Sequence, residues 1–66
     1  MRDATRERLA LLARRVRAGA RASVALTRAI KRARAEGASY AAIGEVVGMS
    51  GTAVLYRVTP GARRRH

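Results

Sequence analysis

Apolar positions recur in steps of three and four along the first half of the chain. Leu9, Leu12, Val16, Gly19, Ser23, Leu26, Ile30 and Ala33 fall on one line at helical spacing. Ala, Leu and Arg, all strong helix formers, dominate residues 3–36. Asp3 or Thr5 suits the N-cap, Glu7 the first turn, and Gly37 a left-handed C-cap. The seam thins in the middle, where Gly19 and Ser23 replace large side chains. Two arrangements fit. One is a single long helix over 3–36. The other is a pair of helices hinged near Gly19, with Ser23 capping the second. Glycine inside a helix costs only about 1 kcal/mol relative to alanine, and alanines flank it here, so the pattern favours the single long helix.

The pattern then shortens. Ser39 is a good N-cap for a helix over Tyr40–Val47, with Ile43, Val46 and Val47 on its buried face. Ser50 is a second N-cap, for a helix over 51–58 that buries Val54 and Val58 and stops before Pro60. The two are separated by about three residues around Gly48, which is the spacing of a helix-turn-helix. The turn needs one residue at positive φ, and Gly48 takes it without a Cβ clash. Four residues earlier the helices pass close, and Gly44 supplies the small side chain required there. Ile43, Val47, Met49 and Val54 are expected to lock the corner. The tail, residues 60–66, has nothing apolar to pack and is expected to be flexible. The expected fold is all-α: one domain over 1–59, built of a long N-terminal helix followed by a helix-turn-helix at 39–58, with a basic C-terminal tail.

Charge narrows the partner. Fifteen Lys+Arg stand against four Asp+Glu, a net +11. Codon bias explains Arg in place of Lys but not the missing acids. Such an excess points to a polyanion, nucleic acid before membrane. Arg14, Arg17, Arg21, Arg28 and Lys31 lie opposite the apolar seam. They read either as a solvated face or as a phosphate-facing rail.

Other classes find little support. There is no Cys, and the one His is terminal, so no nucleophile–base pair or metal-ligand spacing exists. An enzyme is not expected, nor a metal or cofactor. Stacking on single strands needs aromatic platforms, and only Tyr40 and Tyr56 are present. No run approaches the roughly 18 apolar residues of a membrane span. A cytoplasmic, nucleoid-associated protein is the expectation.

The segment "GASYAAIGEVVGMSGTAVLYRV", residues 37–58, resembles the helix-turn-helix units of phage repressors and of sigma-factor promoter-binding regions. It is especially similar to small actinobacterial DNA-binding proteins. In those a long Ala/Arg-rich helix leads into G-A-S-x-x-x-I-(small)-x-x-x-G-(hydrophobic)-S. The resemblance implies a sequence-specific double-stranded DNA-binding protein, a small transcriptional regulator acting as a homodimer. Its recognition helix, 51–58, would enter the major groove. Ser50, Gly51, Thr52 and Ala53 would lead, followed by Leu55 and Tyr56. Ser39 and Tyr40 would meet the backbone, and Arg63, Arg64 and Arg65 would reach a minor groove or a phosphate. Arg57 departs from the pattern, standing where many such units carry a core aliphatic. It would face DNA, pair with Glu45, or lie along a dimer side. The competing expectation is a protein-interaction module docking on RNA polymerase or another regulator through the long helix, with Leu11 and Val24 as an apolar interface.

Overall fold

The computed structural model describes residues 1–59, and every regular element among them is helical. Helix α1 spans Asp3–Arg15, α2 Ala20–Ala35, α3 Tyr40–Val47 and α4 Gly51–Val58. A short 3₁₀ turn, Val16–Ala18, joins α1 to α2. None of these helices is long and apolar enough to cross a membrane.

The favoured single helix over 3–36 is not what forms. The stretch is helical but breaks at Gly19, and α2 folds back along α1. Gly19 sits at φ 157°, ψ 174°, a region reserved for glycine. Burial explains the break. A straight helix over 3–36 would be about 50 Å long, with Leu9 and Ile30 roughly 30 Å apart, at about 1.5 Å per residue. The described molecule is only 36 Å in its longest dimension, and Leu9 and Ile30 are both fully buried in one core. Each large side chain so buried contributes about 1.5–3 kcal/mol. Several of them outweigh the ~1 kcal/mol at which helix propensity resists or permits a Gly break.

The core gathers Leu9 and Leu12 from α1, Leu26, Ala29, Ile30 and Ala33 from α2, Ile43 from α3 and Val54 from α4. Ala38, in the bend after α2, closes it. Val16, Val46, Val47, Met49 and Val58 pack around its edge. Of the predicted seam, Leu9, Leu12, Leu26, Ile30 and Ala33 are buried, whereas Val16 and Ser23 are half-buried and Gly19 is exposed, and its two halves face each other instead of a common partner.

The caps differ from expectation at two of four helices. Arg2 occupies the N-cap of α1, so Asp3 and Thr5 both lie inside the helix. Thr5 is buried and its hydroxyl donates to Glu36 Oε2 at 2.8 Å. The Arg2 backbone N–H donates to Glu36 Oε1, also at 2.8 Å. A carboxylate from the end of α2 thus serves the start of α1, where the helix dipole favours negative charge. Arg32 Nε approaches the same carboxylate at 3.5 Å. The Arg2 amide and the Thr5 hydroxyl, helped by the nearby Arg2 and Arg32 charges, hold the Glu36 carboxyl below its ordinary pKa. Gly19 is the N-cap of α2, so Ser23 is not. Gly37, at φ 94°, makes the left-handed exit from α2.

Candidate nucleic-acid interface

The corner between α3 and α4 follows the sequence closely. Ser39 Oγ accepts the Ala42 N–H, and Ser50 Oγ accepts the Ala53 N–H, each at 3.0 Å. Gly48 adopts the left-handed conformation, φ 75°, ψ 30°. The turn closes when the N–H groups of Gly48 and Met49 both donate to the Gly44 carbonyl. Ile43 and Val54 are fully buried where the helices meet.

Two glycines set how near the helices lie. A methyl on Gly44 would collide with the Met49 carbonyl oxygen and sit 3.3 Å from the Gly51 nitrogen. Alanine does not fit here without a shift of the backbone. A methyl on Gly51 would lie 3.2 Å from the Ala41 nitrogen and 3.4 Å from the Tyr40 carbonyl carbon. Gly51, one of the residues expected to contact DNA, is half-buried, with the backbone of α3 where a side chain would stand. Its place against Tyr40 and Ala41 sets the first turn of α4 beside the first turn of α3. Two helix N-termini, each a partial positive charge with unbonded first-turn N–H groups, therefore lie together.

The outer side of this corner carries most of the expected residues. Ser39, Ser50 and Thr52 are exposed. Ala53, Leu55 and Tyr56 are half-buried. Ala53 and Tyr56 border a shallow recess shared with Met49, Ser23 and Thr27. Tyr40 is half-buried and packs against the core.

Among the described residues Arg57 does not pair with Glu45. Its Nη1 donates to the Ser23 hydroxyl at 3.0 Å, the Ser23 carbonyl at 3.3 Å and the Thr27 hydroxyl at 3.5 Å. It is a tether from α4 to α2. Ser23, weak as a seam residue, is its acceptor. Arg63, Arg64 and Arg65 lie outside the described residues.

Arg34 went unremarked in the sequence and belongs to this surface. It is exposed, its Nη1 donates to the Ala38 carbonyl at 2.8 Å, and its guanidinium stacks 4.2 Å above the Tyr40 ring. That fixes a cation beside the N-terminus of α3. Lys31 stands four residues beyond Thr27 and three before Arg34, on one side of α2. The i to i+4 spacing from Arg34 to Ala38 was visible in the sequence, but the stacking depends on how the chain bends at Gly37. The predicted basic rail does not survive as one line. Arg14 belongs to α1 and Arg17 to the 3₁₀ turn, and only Arg21, Arg28 and Lys31 share a helix.

No protein-family model matches this chain, and no curated protein or solved structure matches it either.

Proposed function

We propose that the protein binds double-stranded DNA as a small transcriptional regulator, acting as a homodimer with α4 in the major groove. The observation that carries the reading is the corner itself. A left-handed Gly48 and the close passage at Gly44 and Gly51 set an N-capped helix that exposes Ser50 and Thr52 at its start, on a chain of net charge +11. Thr52 leads the groove-facing set, with Ser50, Ala53, Leu55 and Tyr56 around it. None of these offers the bidentate contact that discriminates guanine or adenine strongly. Specificity would then come from pairing two half-sites, about 34 Å apart along the duplex. Affinity would come from phosphates held by Arg34, Lys31, the paired N-termini of α3 and α4, and Arg63–Arg65. The activity is binding, without catalysis, and belongs where DNA is, in the cytoplasm.

Selection of bound sequences from random duplex DNA tests this. The expected product is a motif of two-fold symmetry. Its affinity should fall with salt at a log–log slope near 0.9 per phosphate contact. Arg34→Gln should lower that slope by about one unit, and deletion of Arg63–Arg65 by up to about three. Recovery of no motif, together with negligible duplex affinity at physiological salt, overturns the proposal.

A further inference from the structure

We propose that the groove between α1 and α2 docks an acidic amphipathic helix from another protein. The groove has a volume of about 820 Å³. Ala4, Val24 and Ala25 contribute its apolar floor, and Arg8, Arg21 and Arg28 its rims. Arg2 and Arg32 stand at one end, beside the Glu36 carboxylate that Thr5 also meets, and the rest of the lining carries no acid. Val24 and Leu11 are the two large apolar side chains most exposed among the described residues, at 53% and 44%. Leu11 follows Ala4 and Arg8 at helical spacing on α1, so it extends the same line. From Ala20 to Arg32 the α2 wall runs about 18 Å, at about 1.5 Å per residue. That accommodates roughly three turns of a partner helix, laid apolar side down between two helices.

Charge complementarity selects the occupant. Within the described structure only Arg32 of the five arginines has an ion pair, its 3.5 Å contact with Glu36. A partner helix with an apolar stripe flanked by Glu or Asp would satisfy both floor and rims. A second copy of this chain would not, because it carries the same excess of arginine and only four acids to offer. DNA phosphates would meet the arginines but leave Val24 unused.

The arginine side of the groove faces away from the Arg57 tether, while Val24 shares a side of α2 with Lys31, seven residues on. Ser23 and Thr27, which receive Arg57 of α4, lie roughly half a turn around α2 from Arg21, Ala25 and Arg32. Docking here does not depend on the DNA reading.

The test uses the full chain, labelled with ¹⁵N, and a synthetic peptide helix with Leu at i, i+4 and i+7 and Glu on both flanks. A scrambled peptide of the same composition is the control. Amide shifts should concentrate on Ala4, Arg8, Val24, Ala25 and Arg28. Affinity for the scrambled peptide should be lower by about tenfold or more, the apolar stripe being worth at least one buried side chain. Val24→Asn, at an exposed position, should weaken the patterned peptide by about tenfold while circular dichroism stays unchanged. R21Q/R28Q should weaken it too. Equal binding of both peptides, indifference to Val24→Asn, or shifts centred on Ser50–Arg57 would each overturn the assignment. So would displacement of the peptide by duplex DNA from these same amides, or a dimer of the free chain that Val24→Asn dissolves.

Discussion

At Gly44 the tolerance of the fold comes down to one methyl group. Alanine improves helix propensity by up to about 1 kcal/mol over glycine. Here the added carbon meets backbone on the Met49 side and on the Gly51 side, and neither can rotate away. Overpacking of this kind costs about 1–3 kcal/mol, so the clash wins. Gly44→Ala is expected to lower the urea midpoint, with a net loss of about 1–2 kcal/mol or more. Gly48 differs in kind. No atom lies within 4 Å of a methyl there, so its constraint is the left-handed backbone alone. The small polar residues that tolerate that conformation would be accepted better than a β-branched one. The serine caps and Gly48 were legible because each acts on its own neighbours. The intolerance of Gly44 toward alanine was not, because it depends on where Met49 and Gly51 come to lie.

Between elements, α4 depends on α2 as much as on α3. The Arg57 guanidinium makes charge-assisted hydrogen bonds to Ser23 and Thr27 across 30 to 34 residues of sequence. Arg57→Ala should destabilise the chain by about 1.5–3 kcal/mol, the range for a hydrogen bond to a charged group. If the DNA reading holds, the same variant should leave the salt slope of binding unchanged. A fall of about 0.9 would mean that Arg57 holds a phosphate after all. The α1–α2 junction supplies a second case. Gly19 has no atom within 4 Å of a methyl, yet its φ of 157° and ψ of 174° suit glycine alone. Gly19→Ala should cost about 1–3 kcal/mol, measurable by thermal or urea unfolding. It should also push residues 3–35 toward one rod, seen as a larger radius of gyration in X-ray scattering. An unchanged radius and midpoint would show that the turn does not need glycine. The sequence marked the weak point at Gly19 but not its outcome, since helix propensity there differs by only about 1 kcal/mol between the two arrangements.

Across the whole molecule, Glu36 ties the start of the chain to the end of α2. Its carboxylate accepts from the Arg2 amide and the Thr5 hydroxyl and lies by Arg32. Its pKa is lowered in the folded state, by the Arg2 amide first and Thr5 next. A lowered carboxyl pKa means the folded state holds its proton less tightly than the unfolded chain. The contribution is therefore complete above the ordinary glutamate value and is lost as pH falls through the folded one. Chemical denaturation from neutral pH down past the ordinary glutamate range should show stability declining on the acid side. Glu36→Gln should flatten that decline and lower the neutral-pH midpoint. An identical acid limb in the variant would assign the decline to other carboxylates.

Local chemistry in the sequence determined the helical character of residues 3–35, the Ser39 and Ser50 caps, the left-handed Gly48 and the corner it makes. Each rests on neighbours a few residues apart, whose effects need no knowledge of the rest of the chain. Tertiary structure alone decided that α1 folds back on α2, that Glu36 caps a helix begun 33 or so residues earlier, and that Arg57 points inward. It also made the basic groove, which needs two helices side by side. The physical reason is one of magnitude. Propensities at Gly19 differ by about 1 kcal/mol, whereas joining Leu9, Leu26, Ile30, Ile43 and Val54 in one core is worth several times that. No pattern along the chain states which of those side chains will meet.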